Sequence, residues 1–189
     1  MYRTRQKGFP YARTGCSLFI KGLNILIDTP EDINASLNNS DIQKVEHILY
    51  SHCAPDHTMG MRVIEQLKMD WLANSLGKKP NNPIEIASLP AILEDIKKQG
   101  TKYGSIIEYY EASGLIYIKE IRAFKKDNIL IELVPVDEQE HVAIRKQYGI
   151  KRVIITHLEE DWGKSYNDYR ELERELSLIH FAYDGLKIQ

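Results

Sequence analysis

Residues 50–60 read YSHCAPDHTMG and follow an apolar run. Four side chains of this stretch could bind metal: His52, Cys53, Asp56 and His57. Imidazole nitrogens and carboxylate oxygens bind zinc, iron or manganese. Asp56 and His57 are adjacent, so they can share one ion only where the backbone turns sharply, as Pro55 favours. The spacing predicts a metal site at a strand end. The alternative is that polar residues close a strand-to-helix loop, with Asp56 or Thr58 as the N-cap.

A second histidine occupies the same kind of position later in the chain. The loop THLEEDWG, residues 156–163, follows the β-branched run that ends RVIIT and begins with His157 next to the strand. Side chains that follow strand ends often lie at one edge of a sheet, where such folds place their chemistry. His157 is therefore the best candidate for a ligand from a distant part of the sequence.

Composition and charge narrow the class of protein. The 189 residues, 43% of them hydrophobic, suit a single domain over 1–189 with a substantial core. A formal net charge of −2 argues against nucleic acid or an anionic membrane as partner. Only two cysteines, Cys16 and Cys53, are present, the N-terminus lacks an apolar signal region, and no apolar run reaches about 20 residues. We expect a cytoplasmic protein.

The order of predicted elements indicates an α/β layered domain, with strands first and strand–helix units afterwards. We expect a hairpin over 16–28, a helix after Pro30, a helix from Pro90 that Gly100 caps, and further strands and helices. The other predicted strands are 45–51, 84–88, 115–121, 128–136, 152–156 and 179–184, and the other predicted helices are 63–72, 104–112, 138–148 and 166–176.

These motifs together resemble the metallo-β-lactamase superfamily, whose signature loop is His-x-His-x-Asp-His after a strand. The stretch SHCAPDHTMG matches it at His52, Asp56, His57 and Gly60. ILIDTPED, residues 25–32, resembles the preceding strand, which ends in a buried aspartate at the position of Asp28. The C-terminal segments RVIITHLEED and IHFAYDGLKI resemble the branch that includes cyclic phosphodiesterases, in which the histidine matching His157 binds metal. The resemblance implies an αββα sandwich.

The sequence departs from the signature in ways that reduce the implied metal site. Ala54 stands where the second histidine belongs, and neither the family's middle histidine nor its bridging aspartate can be placed. His141 lies in a segment that looks helical and solvated, which disfavours it as a ligand. The second half of the sandwich therefore reads as shortened. The family holds two metal ions. Of the ligands for the first ion, only His52 is present in this sequence. Of the ligands for the second ion, three are present: Asp56, His57 and His157.

The resemblance implies a hydrolase of ester or phosphodiester bonds in a small-molecule substrate, with one zinc, manganese or iron ion per chain. Asp56 would bind the ion or orient water, and His52 would act as general acid or base, or as a fourth ligand. Asp28 is expected to accept hydrogen bonds from the 52–57 loop, and Cys53 to pack as a small apolar residue. The alternative is a metal-free, catalytically silent relative with a binding or structural role. A shortened sandwich exposes sheet edges, so we expect a homodimer or higher homo-oligomer.

Overall fold

The structure is a computed structural model, which describes residues 14–102, 104–126, 129–133, 153–155, 165–175 and 179–181. The chain divides into two compact units, one of Gly15–Val134 and the other of Met1–Thr14 together with Pro135–Gln189. The single domain over 1–189 stays a prediction. No helix in the described ranges is both long and apolar enough to span a membrane.

A five-stranded sheet organises the first unit, in the order β1-β2-β3-β4-β7. The expected hairpin is present, because β1 and β2 pair antiparallel across a 3₁₀ turn, whereas β2, β3, β4 and β7 are parallel. The parallel strands therefore all end at one edge of the sheet. Their bounds are β1 Leu18–Ile20, β2 Ile25–Ile27, β3 His47–Leu49, β4 Ile84–Ser88 and β7 Ile116–Glu120.

Each face of this sheet buries its own hydrophobic cluster, because successive side chains of a strand point to opposite faces. Leu26, Ile48 and Ile86 belong to the cluster beneath the helices. Ile25, Leu49 and Ala87 belong to the other, which Phe124 and Ile131 of a β-hairpin cover. Helices, sheet and hairpin thus form layers. The hairpin strands are β8 Ala123–Lys126 and β9 Ile129–Glu132, and a smaller pair is β5 Gly100–Thr101 and β6 Gly104–Ser105.

The helices follow the sequence pattern with two corrections. The predicted helix over 63–72 is two helices, because the Asp70 side chain accepts a hydrogen bond from the Ala73 amide and starts a new one. Gly100 does not cap the helix that starts at Pro90; it enters β5 instead. The helices of this unit are α1 Ile33–Asn38, α2 Pro55–Thr58, α3 Val63–Lys68, α4 Trp71–Ser75, α5 Pro90–Lys98 and α6 Ile106–Ala112.

The second unit contains a β-α-β arrangement that matches the predicted elements at the end of the chain. β10 Val153–Ile155 pairs in parallel with β11 Ile179–Phe181, and α7 Tyr166–Glu175 lies between them in sequence. The predicted helix at 138–148, His141 and His157 lie outside the described residues.

Candidate functional site

The candidate site is built on the short helix α2, which follows β3 within a few residues. Pro55 occupies the first turn of α2, where its fixed φ and missing N–H are tolerated. Ala54 is the N-cap, so the alternative that Asp56 or Thr58 caps this helix is wrong. Thr58 instead donates a hydrogen bond from Oγ1 to the Ala54 carbonyl oxygen at 3.0 Å. Asp56 and His57 therefore lie on the helix itself, beyond the end of β3.

Asp28 holds this loop against the end of the neighbouring strand β2, as the sequence predicts. Its carboxylate accepts a hydrogen bond from the Ser51 amide at 2.8 Å, a second from the Ser51 hydroxyl, and a third from His57 Nδ1 at 2.8 Å. Asp28 adopts a left-handed conformation, with φ at 61°, which aspartate tolerates better than most residues. Its side chain is 4% exposed, so the buried charge is compensated by these hydrogen bonds.

The Asp28 contact orients the His57 ring. When Nδ1 donates to Asp28, Nε2 carries the lone pair, and Nε2 lies 3.4 Å from Oδ2 of Asp56. The hydrogen bond that His57 donates to Asp28 raises the pKa of His57, against the opposing effect of burial. A carboxylate that accepts a hydrogen bond from the far nitrogen of a histidine is the usual support for a metal-binding imidazole. One imidazole nitrogen and one carboxylate oxygen therefore lie close together beyond the end of β3.

His52 lies next to His57 and is more exposed than His57. The centroids of its ring and that of His57 are 5.6 Å apart, with the ring planes inclined at 72°. Nδ1 of His52 accepts a hydrogen bond from the Ala54 amide at 3.2 Å, so Nε2 is the ring nitrogen that can contact other groups. Within the described part of the chain, no three His, Cys, Asp or Glu side chains converge closely enough to hold a metal ion. The predicted third ligand, His157, lies outside it.

Cys53 and Gly60 have structural roles in the same loop. Cys53 packs against the hydrophobic cluster beneath the helices, as predicted, and its carbonyl oxygen accepts a hydrogen bond from the Gln99 side chain. A Cβ atom at Gly60 would lie 1.9 Å from the carbonyl oxygen of Pro30. Only glycine fits there, so the loop after α2 packs directly on the backbone at the start of α1.

Sequence reasoning missed a second set of contacts that fixes the two strand ends. Thr29 Oγ1 and the Tyr50 hydroxyl form a hydrogen bond of 2.9 Å, and both residues are fully buried. The Thr29 amide donates to the His57 carbonyl oxygen at 2.7 Å, and the Gly60 amide donates to the Thr29 carbonyl oxygen at 2.8 Å. In the sequence, the only indication of these contacts was that the polar residues Thr29 and Tyr50 follow the apolar strands β2 and β3.

Comparison with known proteins shows a similarity of fold but no match of sequence families. No protein-family model matches this sequence, and no curated protein matches it. The fold is similar to the crystal structure of a new diphosphatase from the PhnP family, with 16% sequence identity, a TM-score of 0.57, and coverage of 87% of this chain and 79% of that one. The similarity fits a metallo-β-lactamase-like α+β layered fold, which confirms the predicted fold class. The shortening of the second half stays a prediction.

Proposed function

We propose that this protein is a metal-dependent hydrolase of phosphodiester or related ester bonds in a small cytoplasmic substrate. One observation carries the proposal. The buried Asp28 carboxylate fixes the ring of His57, whose Nε2 lies 3.4 Å from the Asp56 carboxylate beyond the ends of two parallel strands. The similarity to a diphosphatase supports a phosphorus-containing substrate.

The residues that would hold the ion are Asp56 and His57, with His157 as the proposed third ligand and zinc, manganese or iron as the ion. Asp28 keeps Nδ1 of His57 engaged, so that Nε2 is directed towards Asp56. Three protein ligands suffice for a catalytic zinc site, and Ala54 supplies none for a second ion. When bound, such an ion supplies Lewis acidity, which makes water nucleophilic near neutral pH.

His52 is proposed to move a proton during hydrolysis. Its Nδ1 accepts from the Ala54 amide, so the neutral imidazole carries its proton on Nε2, and it takes up a second proton only when Nδ1 releases that amide. The ring lies beside His57 without being enclosed, where a leaving oxygen atom could approach it. The neutral imidazole would accept a proton from water, and the protonated imidazole would donate one to the leaving group. His52 as a fourth ligand is the alternative role.

Metal content and activity test this proposal together. Protein purified without chelator should contain about one zinc, manganese or iron ion per chain, and should hydrolyse bis-p-nitrophenyl phosphate. His57→Ala and Asp56→Ala should lose both metal and activity. Asp41→Ala is the matched control for Asp56, because Asp41 is also an exposed carboxylate and pairs with Lys21 far along the chain from the loop. Metal-free protein that stays inactive after metal addition would contradict the proposal.

The second candidate is a catalytically silent relative that acts as a binding or structural protein. Ala54 favours it, because a methyl group stands where the signature has a histidine, and only two donors converge among the described residues. Ala54→His distinguishes the two candidates: metal binding that appears only in this variant would show that the natural chain has lost its site.

A homodimer or higher homo-oligomer remains part of the proposal. Three apolar side chains of the short helix α4 and its C-cap residue are exposed, by 61% at Trp71, 74% at Leu72 and 66% at the C-cap Leu76. An apolar patch of this kind on one element is the usual mark of a surface that another molecule covers. Size-exclusion chromatography coupled to light scattering tests it, and a monomer over the whole concentration range would contradict it.

A further inference from the structure

A row of three polar residues crosses the sheet at the end opposite the His52–His57 loop. In the register of the parallel strands, His47 of β3 is the neighbour of Glu85 in β4, and Glu85 is the neighbour of Tyr117 in β7. Their side chains lie on the face that the β8–β9 hairpin covers. His47 begins β3 and His52 follows its end, so about five residues of extended chain, or roughly 16 Å, separate this row from the candidate hydrolase site.

Glu85 links the row by hydrogen bonds. It is only 5% exposed, its Oε1 lies 3.3 Å from Nδ1 of His47, and its Oε2 accepts a hydrogen bond of 2.8 Å from the Tyr117 hydroxyl. Lys119 lies 3.6 Å from the same carboxylate. A buried carboxylate with this many partners is fully compensated and holds its neighbours in fixed positions.

Lys126 of β8 is partly exposed and contacts the row at His47. Its ammonium group lies 3.1 Å from Glu46 Oε2, 3.2 Å from the Leu23 carbonyl oxygen and 3.4 Å from Nε2 of His47. Three partners use the three N–H donors of a lysine. With Lys126 donating to Nε2, His47 donates from Nδ1 to Glu85, and the imidazole is neutral. Burial also lowers the pKa of His47, which is consistent with that state.

This network forms the floor and wall of an open cleft of about 370 Å³. A second cleft of about 700 Å³ adjoins it, and Lys68 lines both. Volumes of this size suit small ligands rather than long polymers. The charged residues that line the two clefts are Lys44, Lys68, Lys78, Lys79 and Lys126, opposed by Glu46 and Asp70.

The clefts carry a local surplus of positive charge on a chain whose net charge is −2. Five lysines face two carboxylates, which leaves three positive charges uncompensated. Glu46 is already engaged by Lys44 at 2.6 Å and by Lys126. No acidic side chain in the described ranges forms an ion pair with Lys68, although it is half-buried beside Lys44. Burial and the charge of Lys44 lower the pKa of Lys68 accordingly.

We propose that these two clefts form a second binding site, which takes a compact anion of linked phosphates, either inorganic or as the phosphate chain of a nucleotide. Lysine ammonium groups bind phosphate as point charges and need no particular orientation. An anion placed between Lys44 and Lys68 would neutralise Lys68, and would add to the partial balance that Lys44 obtains from Glu46, a carboxylate it shares with Lys126. Tyr117, 44% exposed on the cleft wall, is held by Glu85 and can contact the remainder of a nucleotide.

Calorimetric titration of the full chain with sodium tripolyphosphate, in buffer containing EDTA, tests the proposal without any bound metal. We expect one saturable site per chain. Lys68→Gln should weaken binding about tenfold, which corresponds to about 1.4 kcal/mol. Lys97→Gln is the matched control, because Lys97 is also a half-buried helical lysine but does not line either cleft. Absence of saturable binding, or equal losses in the two variants, would overturn the proposal.

Further titrations identify the ligand and separate this site from the hydrolase site. His57→Ala should bind tripolyphosphate as the natural chain does, and loss of binding in that variant would assign the anion to the His52–His57 loop. Equal affinity for ATP and tripolyphosphate supports a site for phosphates alone, whereas tighter binding of ATP supports a nucleotide site. Both outcomes support the linked-phosphate proposal. A 20-residue single-stranded oligonucleotide that competes at lower concentrations than either would overturn it in favour of a nucleic-acid surface.

Discussion

The carboxylate of Asp28 lies 2.8 Å from Nδ1 of His57, although 29 positions separate the two residues in the sequence. Parallel pairing of β2 with β3 brings them together, because Ile27 is the register partner of Leu49 and both strands end at the same edge. One buried acid thereby fixes the following loop through Ser51 and the ring of His57 at once. The metal affinity of the proposed site should depend on this acid, although Asp28 is not one of the proposed ligands.

Asp28→Asn should weaken zinc binding by about 10–100-fold, the usual effect of losing a carboxylate that supports a metal-binding histidine. Asparagine tolerates the left-handed backbone at this position, so the strand end keeps its shape. Competition with a chromophoric chelator measures the affinity, and circular dichroism checks that the variant is folded. Asp41→Asn is the control and should bind zinc normally. A folded Asp28→Asn protein with unchanged affinity would remove the supporting role of Asp28.

Tyr50→Phe should lower the free energy of unfolding by about 1–2 kcal/mol, because it leaves the buried Thr29 hydroxyl without its hydrogen-bond partner. Burial raises the pKa of the Tyr50 phenol, which therefore stays neutral at all ordinary pH values. Urea unfolding of the metal-free protein measures the change. Tyr109→Phe, at a residue that is 48% exposed, should change stability by less than about 0.5 kcal/mol. Equal effects of the two substitutions would contradict the importance of the buried contact.

Gly60→Ala should destabilise the protein by about 3 kcal/mol, at the upper end for an overpacked site. The new Cβ atom would lie 1.9 Å from the Pro30 carbonyl oxygen and 2.7 Å from Cγ2 of Ile33, so the backbone must move. Because the Gly60 amide also bonds to the Thr29 carbonyl oxygen, metal affinity should fall with stability. Gly22→Ala is the matched control, since a Cβ atom there meets nothing within 4 Å. A fully stable Gly60→Ala protein would be inconsistent with this packing.

The strand ends could be predicted from local pattern, and the Asp28 contact from the resemblance of residues 25–32 to the strand that precedes the family's signature loop. Apolar runs define β2 and β3, and polar residues directly after them must lie at the sheet edge. Gly100 shows where this reasoning fails. A glycine after a helix suits a C-cap, but it equally suits a close approach between strands, and a Cβ atom at Gly100 would lie 2.5 Å from the Gly104 carbonyl oxygen. Only the β5–β6 pairing distinguishes the two roles.

The row of His47, Glu85 and Tyr117 could not have been found from sequence. His47 and Glu85 each have apolar neighbours along the strand, and Tyr117 lies in a strand that also carries Lys119 and Glu120, so a solvent-facing side chain is the simplest expectation for all three. Their proximity depends on the register of three strands, which the sequence does not specify. The helix pattern over 63–72 misled for a related reason. Its later apolar members, Trp71 and Leu72, are exposed, so periodicity there does not report burial.

The neutral state of His47 should make the metal-free protein less stable as the pH falls below 6.5. Burial lowers the pKa of His47 from its usual 6.5, so below that value the unfolded chain binds a proton that the folded chain resists. The free energy of unfolding therefore rises as the pH increases from the folded-state pKa of His47 to 6.5, and it falls as the pH decreases over the same interval.

His47→Gln removes this titration. The stability deficit of this variant relative to the natural chain should therefore be smaller at pH 5.5 than at pH 7.5, as measured by urea unfolding in EDTA. Gly22→Ala is the control, because neither side chain carries an ionisable group. Its difference in stability from the natural chain should stay constant over the same range, and a constant deficit for His47→Gln as well would show that His47 is not buried in its neutral form.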